Sequence, residues 1–225
     1  MPNIAQVRNP RLVKALIQDA TQRGINFITH TTVEHFSVSH DKVQQVVTNT
    51  GKLSADFIVL CAGAWTSELM QNLPHPADVR PVRGQMLLFK TKPGLIEHIM
   101  LEENRYVIPR KDGRVLFGST LEETSFNQST TTKAREELLQ IATHRYPVLK
   151  QYPIEHHWAG LRPAAPAGVP YIAPHPQLDN LYVNAGHYRN GVVLAPASTR
   201  LLADMVLNRK TILDPSPYTL DAPRG

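Results

Sequence analysis

Residues 180–208 read NLYVNAGHYRNGVVLAPASTRLLADMVLN, and the fold is decided by how this stretch is parsed. Leu181 to Asn184 form a short apolar run, which predicts a buried strand. A loop bracketed by Gly186 and Gly191 follows, and from about Pro196 to Leu207 apolar residues recur at helical spacing. A strand, a glycine-bracketed loop and a helix make the repeating unit of an α/β fold. Such a loop lets a flat ligand approach backbone amides closely, and the helix start favours negative charge. Arg189 adds a permanent cation with a planar donor fork inside the loop. An ordinary strand–turn–helix with an arginine on its rim would read the same way, so both readings stand at this point.

Working outward, His157-Trp158-Ala159-Gly160-Leu161-Arg162-Pro163 places an arginine at the end of an apolar strand. A guanidinium pairs bidentately with a carboxylate, so Arg162 suits either a small acid ligand or one of the protein's own carboxylates. Tyr106, in RYVIPRKDGR, offers a ring and a hydroxyl to a carboxylate, or is simply a half-buried strand residue.

The rest of the chain supplies the scaffold. Asn9-Pro10 opens a helix carrying Leu12, Val13, Leu16 and Ile17 and stopping at Gly24. Strand-like segments are expected over Asn26–Thr29, Val33–Val38, Val43–Thr48 and Ala55–Leu60, with a turn at His40-Asp41. The run FIVL before Cys61 reads as a buried strand, and Trp65 to Leu73 as a short helix. Arginine and proline density changes at Asp78–Gln85, which reads as a crossing between domains. Strands are expected over Met86–Lys90, Arg105–Ile108, Arg114–Gly118, Ile154–Arg162 and Tyr171-Ile172. Between them, an amphipathic helix follows Ser129 and ends at Pro147.

Composition narrows the classes. With 225 residues, 42% hydrophobic and 19% charged, the chain can build one large folded domain or two small ones. Eighteen prolines against 12 glycines imply many short elements and argue against a coiled coil. No apolar run approaches the roughly 20 residues of a membrane-spanning helix, and the first residues lack an apolar signal core. One cysteine, Cys61, excludes an internal disulfide framework and a multi-thiolate zinc site. These features make the cytoplasm the expected compartment and Cys61 an inert core thiol. The net charge is +5, but Arg105, Arg110, Lys111 and Arg114 surround the turn Asp112-Gly113. That pattern reads as a solvated hairpin tip rather than a nucleic-acid surface. Ten histidines form no H-E-x-x-H, and neither a G-x-S-x-G elbow nor a G-x-x-x-x-G-K-[ST] loop occurs, so no metal is expected.

Six stretches, taken in order, carry a resemblance: TTVEHF, DFIVLCAGAWT, VRPVRGQMLLF, RYVIPRKDGRVLFGST, HHWAGLRPAAPAGVPYIAPHP and NLYVNAGHYRNGVVLAPA. Together they resemble the D-amino acid oxidase family of flavoproteins, most closely its glycine oxidase branch linked to thiamine biosynthesis. The resemblance implies FAD as cofactor and an incomplete Rossmann-like FAD-binding domain interleaved with an antiparallel-sheet substrate domain. Residues 1–79 and 159–225 would form the first and 80–158 the second. It implies that Val33 packs at the adenosine end of FAD. It also implies that His187, Tyr188, Arg189, Asn190, Gly191, Val192 and Val193 lie along the flavin ring. Arg162 would pair with the substrate carboxylate, with Tyr106 as its hydroxyl-bearing companion and Arg189 as a further contact. The helix start near Ala195-Pro196 would stabilise charge on the reduced ring.

The implied reaction is oxidation of a small amino acid to an imine, with O2 reduced to hydrogen peroxide. The alternatives are a D-amino acid dehydrogenase, a sarcosine-oxidase-like flavoenzyme, or a non-catalytic fragment that binds a partner chain. No G-x-G-x-x-G turn, the motif that holds the FAD pyrophosphate, occurs in the 225 residues. The expectation is therefore a chain that lacks an N-terminal segment, does not retain FAD alone, and self-associates through an unpaired sheet edge.

Overall fold

The structure is a computed structural model that describes residues 5–224; residues 1–4 and 225 of the expected nucleotide-binding segments lie outside the described residues. The chain forms a helix α1 (Asn9–Gln22), then three strands, β1 (Val33–Ser39), β2 (Lys42–Thr48) and β3 (Gly51–Leu53). Next come β4 (Ile58–Leu60), a 3-10 turn at Gly63–Trp65 and the short helix α2 (Thr66–Met70). A long strand β5 (Arg80–Lys90) leads to β6 (Met100–Glu102), β7 (Arg105–Pro109), β8 (Arg114–Gly118) and the helix α3 (Thr132–Arg145). The last part contains β9 (Ile154–Ala164), β10 (Tyr171–Pro174), β11 (Leu181–Ala185) and the helix α4 (Gly191–Val206). The mixed α/β class expected from the sequence is the class observed.

These strands make three sheets. β1, β2 and β3 form an antiparallel meander turned at His40-Asp41, where both residues adopt positive φ. β10, β11 and β4 form a second sheet in which β4 runs parallel to β11. The third, ordered β6-β7-β8-β5-β9, is antiparallel throughout. Its core face carries Leu87, Phe89, Val107, Val115 and Phe117, packed against Leu138 and Ala142 of α3. The Thr131 hydroxyl caps α3 by accepting from the Ala134 amide, and Pro147 opens the turn that follows it.

Several expectations need correcting. Asn26–Thr29 forms no strand, and Ile25, Phe27 and Ile28 are exposed. FIVL is not a buried strand: only Ile58–Leu60 is extended, and Phe57 and Val59 lie on the face of the sheet left open among the described residues, while Leu60 on the other face is buried. Cys61 is exposed rather than a core thiol, although the atoms packed around it desolvate the thiol and push its pKa up. Within Asp78–Gln85, Arg80 to Gln85 are the first half of β5, which begins earlier than the strand expected from Met86. Asn9 does not cap α1; Arg8 occupies the cap position, with no side-chain hydrogen bond. α4 starts at Gly191, so Pro196 lies inside the helix rather than at its start.

Candidate active site

Residues directly opposite one another in adjacent strands share a face of the sheet, as do residues two apart along a strand. Tyr106 of β7 is opposite Gly118 of β8, Gly118 is opposite Met86 of β5, and Met86 is opposite Trp158 of β9. This row crosses four strands on the face away from α3. Two steps along β5 from Met86 is Gly84, and four along β9 from Trp158 is Arg162. Register therefore puts Tyr106 and Arg162 on one surface.

Arg162 extends across β5 to the end of β8. Its guanidinium lies over Gly84 and donates to the Ser119 hydroxyl at 2.5 Å and to the Thr120 carbonyl at 3.2 Å, just beyond Gly118. Both acceptors are neutral, and among the described residues Arg162 makes no ion pair. A half-buried, uncompensated guanidinium is costly to maintain unless an anion completes it. On the same sheet Arg83, Arg105 and Arg114 are paired with Glu122, Glu137 and Glu155, whereas Arg80, also without an ion pair, is exposed to solvent. The Tyr106 hydroxyl has only a 3.4 Å contact to Met86 Sδ and faces a cleft of about 380 Å³, lined also by Arg8, Ile108, Arg110 and Trp158.

The opposite face of β5 anchors the turn that Arg162 touches. Arg83 Nε and Nη2 donate to Glu122 Oε2 at 3.2 and 2.5 Å, and Gln85 Nε2 donates to Glu122 Oε1 at 2.9 Å. The Thr120 hydroxyl accepts from the Gln85 amide and donates to the same carboxylate. Burial works to raise the Glu122 carboxyl, but hydrogen bonds from Thr120, Arg83 and Gln85 outweigh it and hold the group below its ordinary range.

At its far end β9 meets the glycine-bracketed loop. Ala164 forms a bridge with His187, and the Tyr188 amide donates to the Pro163 carbonyl at 2.8 Å. Gly186 has φ +82°, and a Cβ there would stand 2.8 Å from Ala165 Cβ, so only glycine allows this approach. His187 Nε2 lies 3.0 Å from Ser198 Oγ, whose own proton is donated to the Leu194 carbonyl. The imidazole is thus the Nε2–H tautomer, and burial keeps it neutral by lowering its pKa. Asn190 provides no side-chain cap, so the first-turn amides of α4 are open. Beside them Val192 and Val193 are 43% and 82% exposed, and Arg189 is exposed too.

Open amides next to bare apolar side chains suit the polar edge and the face of a flavin ring. Val33 stands apart from this loop, at the start of β1 in the meander. Sequence reasoning missed Gly84, Ser119, Thr120 and Glu122; only the crossing of strands reveals them.

The family described as FAD dependent oxidoreductase (DAO) matches residues 1–205. A glycine oxidase of Pseudomonas aeruginosa is 44% identical over the whole chain, which spans 61% of that protein. A bifunctional protein ThiO/ThiG of Synechocystis is 35% identical over 93% of the chain and 32% of its own length. The crystal structure of glycine oxidase from Geobacillus kaustophilus superposes with a TM-score of 0.90 at 29% identity, covering 96% of this chain and 58% of that one. The chain thus spans between about half and three-fifths of the glycine oxidases it matches.

Proposed function

This chain belongs to the DAO family of FAD-dependent oxidoreductases, and on that premise we propose that its protein oxidises the amine of a small amino acid, such as glycine, sarcosine or a small D-amino acid, to an imine. When bound, FAD would supply the two-electron redox chemistry, with O2 and two protons converted to hydrogen peroxide. Arg162 holds the substrate carboxylate in a two-pronged grip and Tyr106 donates its hydroxyl to the same group, which fixes the direction of the Cα–H bond. His187 to Val193 would hold the flavin, and the uncapped amides at the start of α4 would stabilise negative charge on it. Arg189 contacts the substrate from the exposed loop, and Val33 packs at the adenosine end. No side chain need act as a base, because the neutral amine supplies the electron pair of the new C=N bond.

The observation that carries this reading is Arg162, a half-buried guanidinium with two neutral partners and no carboxylate of its own. The division into 1–79 with 159–225 and 80–158 belongs to the same proposal. Its second boundary falls within β9, the strand that runs from the antiparallel sheet to the His187 loop. Steady-state turnover of small amino acids by the FAD-loaded protein, with O2 uptake and peroxide measured together, tests it. Turnover only with an artificial acceptor would make the protein a dehydrogenase. No turnover with flavin bound would overturn the enzymatic reading.

A further inference from the structure

Arg83, Gly84 and Gln85 are consecutive on β5, and strand alternation sends the outer two to one face and the middle one to the other. Arg83 and Gln85 grip Glu122 and reach the α3 start: Arg83 Nη1 donates to the Ser129 carbonyl at 3.0 Å, and Gln85 Oε1 accepts from the Thr131 amide at 3.0 Å. Gly84 faces the opposite side and lies under Arg162. A Cβ at position 84 would stand 2.1, 2.3 and 2.4 Å from Nη1, Nη2 and Cζ of Arg162. The head group occupies the volume that any side chain there would take.

We infer that Gly84 and Glu122 are positioning residues for the carboxylate-binding cation: Gly84 by leaving the lane across β5 that the Arg162 guanidinium fills, Glu122 by fixing the Ser119–Thr120 turn that receives it. The inference rests on the reading of Arg162 as the carboxylate holder.

Three features support it. A guanidinium has five N–H donors, and the hydrogen bonds to Ser119 and Thr120 use two, which orients the head while leaving donors for a ligand. The turn is itself held. The Glu122 amide donates to the Arg83 carbonyl at 3.0 Å, the Arg83 amide donates back at 2.8 Å, and the Thr120 amide donates to the Gln85 carbonyl at 3.3 Å. Lastly, Glu122 stands two residues from the carbonyl that binds Arg162, yet its carboxylate is committed to Arg83 and Gln85. It therefore does not neutralise the cation, and the grip stays open for an outside acid.

The test uses the FAD-loaded protein, with acetate as a carboxylate probe that cannot react, binding measured by calorimetry and the Arg162 head located by crystallography. In Gly84→Ala the atoms met belong to the mobile end of a side chain, so the fold is kept and the head swings away from Ser119 and Thr120. Acetate binding then weakens by about tenfold or more, as for a lost two-pronged contact. In an Arg162→Ala background the same glycine substitution changes acetate affinity little, because the lane is empty. Glu122→Gln places an amide donor against Arg83 and Gln85, loosens the turn and weakens acetate as well, which carries the test if Gly84→Ala does not fold.

An Arg162 head that stays on Ser119 and Thr120 in Gly84→Ala overturns the inference. So do losses that add in full to those of Arg162→Ala, or Glu122→Gln binding acetate like the parent. If Arg162→Ala binds acetate as the parent does, the carboxylate reading of the site fails instead; a displaced head in Gly84→Ala would still support the steric role of Gly84.

Discussion

The Tyr188 amide donates a 2.8 Å hydrogen bond to the Pro163 carbonyl, one residue beyond Arg162. Pro163 lies opposite Pro81 in the β5–β9 ladder, and neither proline can donate. The ladder runs one pair further, to Arg80 and Ala164, and the Pro163 carbonyl is taken by the loop that begins α4. The strand proposed to bind the carboxylate and the loop proposed to face the flavin are thereby tied at adjacent residues.

Arg162→Ala in the FAD-loaded protein should abolish turnover while the flavin absorption stays. A truncated charge-assisted contact of this kind costs about 2–5 kcal/mol. Arg162→Lys should also turn over poorly, because an ammonium has no planar fork to span both carboxylate oxygens. Kinetics equal to the parent's would remove Arg162 from the site.

Gly186→Ala should loosen the tie between β9 and α4. The left-handed backbone and the crowding by Ala165 are each strained by a side chain, at a cost on the order of 1–3 kcal/mol. The expected readout, in the full-length FAD-loaded protein, is a lower melting temperature together with weaker FAD retention. A variant as stable as the parent would show that the approach is looser than described.

Stability should fall as the solution is acidified from neutral, and His175 is one cause. Its Nδ1 accepts from the Gln177 and Leu178 amides at 3.2 and 3.1 Å, and Nε2–H donates to the Pro74 carbonyl at 2.7 Å. Burial, aided by neighbouring His75, lowers the pKa, while the Pro74 carbonyl and Asp221 oppose it. A histidine whose folded pKa lies below its unfolded value of about 6.5 contributes stability above that pH, and loses it as pH falls toward the folded value. Melting temperatures from pH 8 to 5 for the parent and His175→Gln test this; parallel curves would rule His175 out.

The 225 residues by themselves should neither retain FAD nor stay monomeric. No glycine-rich pyrophosphate turn is present in the sequence. α1 buries none of its residues, leaving Leu12, Val13, Leu16 and Ile17 exposed, and among the described residues β4 has an unpaired edge, with Phe57 before it and Val59 within it exposed. Calorimetry with FAD and sedimentation of the purified chain measure both. A monomer binding FAD at submicromolar concentration would contradict the expectation.

What the sequence showed depended on how local each signal was. α3 was legible because its cap, Thr131, and its terminator, Pro147, are neighbours in the chain. β8 was found with the ends it has, between Gly113 and Ser119. Asn26–Thr29 has strand-like residues but no partner among the described residues, and pairing rather than composition makes a strand. β3 and β6 are three-residue strands that exist only through β2 and β7, so nothing local marks them. The start of β5 was hidden by Pro81, which is tolerated because β8 pairs with β5 only from Met86 onward. At the site, Tyr106 and Arg162 were ambiguous one at a time and gained roles through resemblance. Gly84 and Glu122 gave no signal, since their relation to Arg162 is made by cross-strand register.

The parallel pairing of β4 with β11 has a consequence during synthesis. β4 leaves the ribosome about 120 residues before its partner strand, so at about 5–20 residues per second it waits some 6–24 s with its backbone unpaired and with Leu60, which joins Leu181 and Val183 in the finished core, uncovered. The antiparallel sheet of β5 to β9 can assemble within that interval, because each of its strands is made before β11. The nascent chain should therefore be most dependent on chaperones while the second sheet is incomplete, and slower translation between β4 and β11 should raise its aggregation rather than lower it.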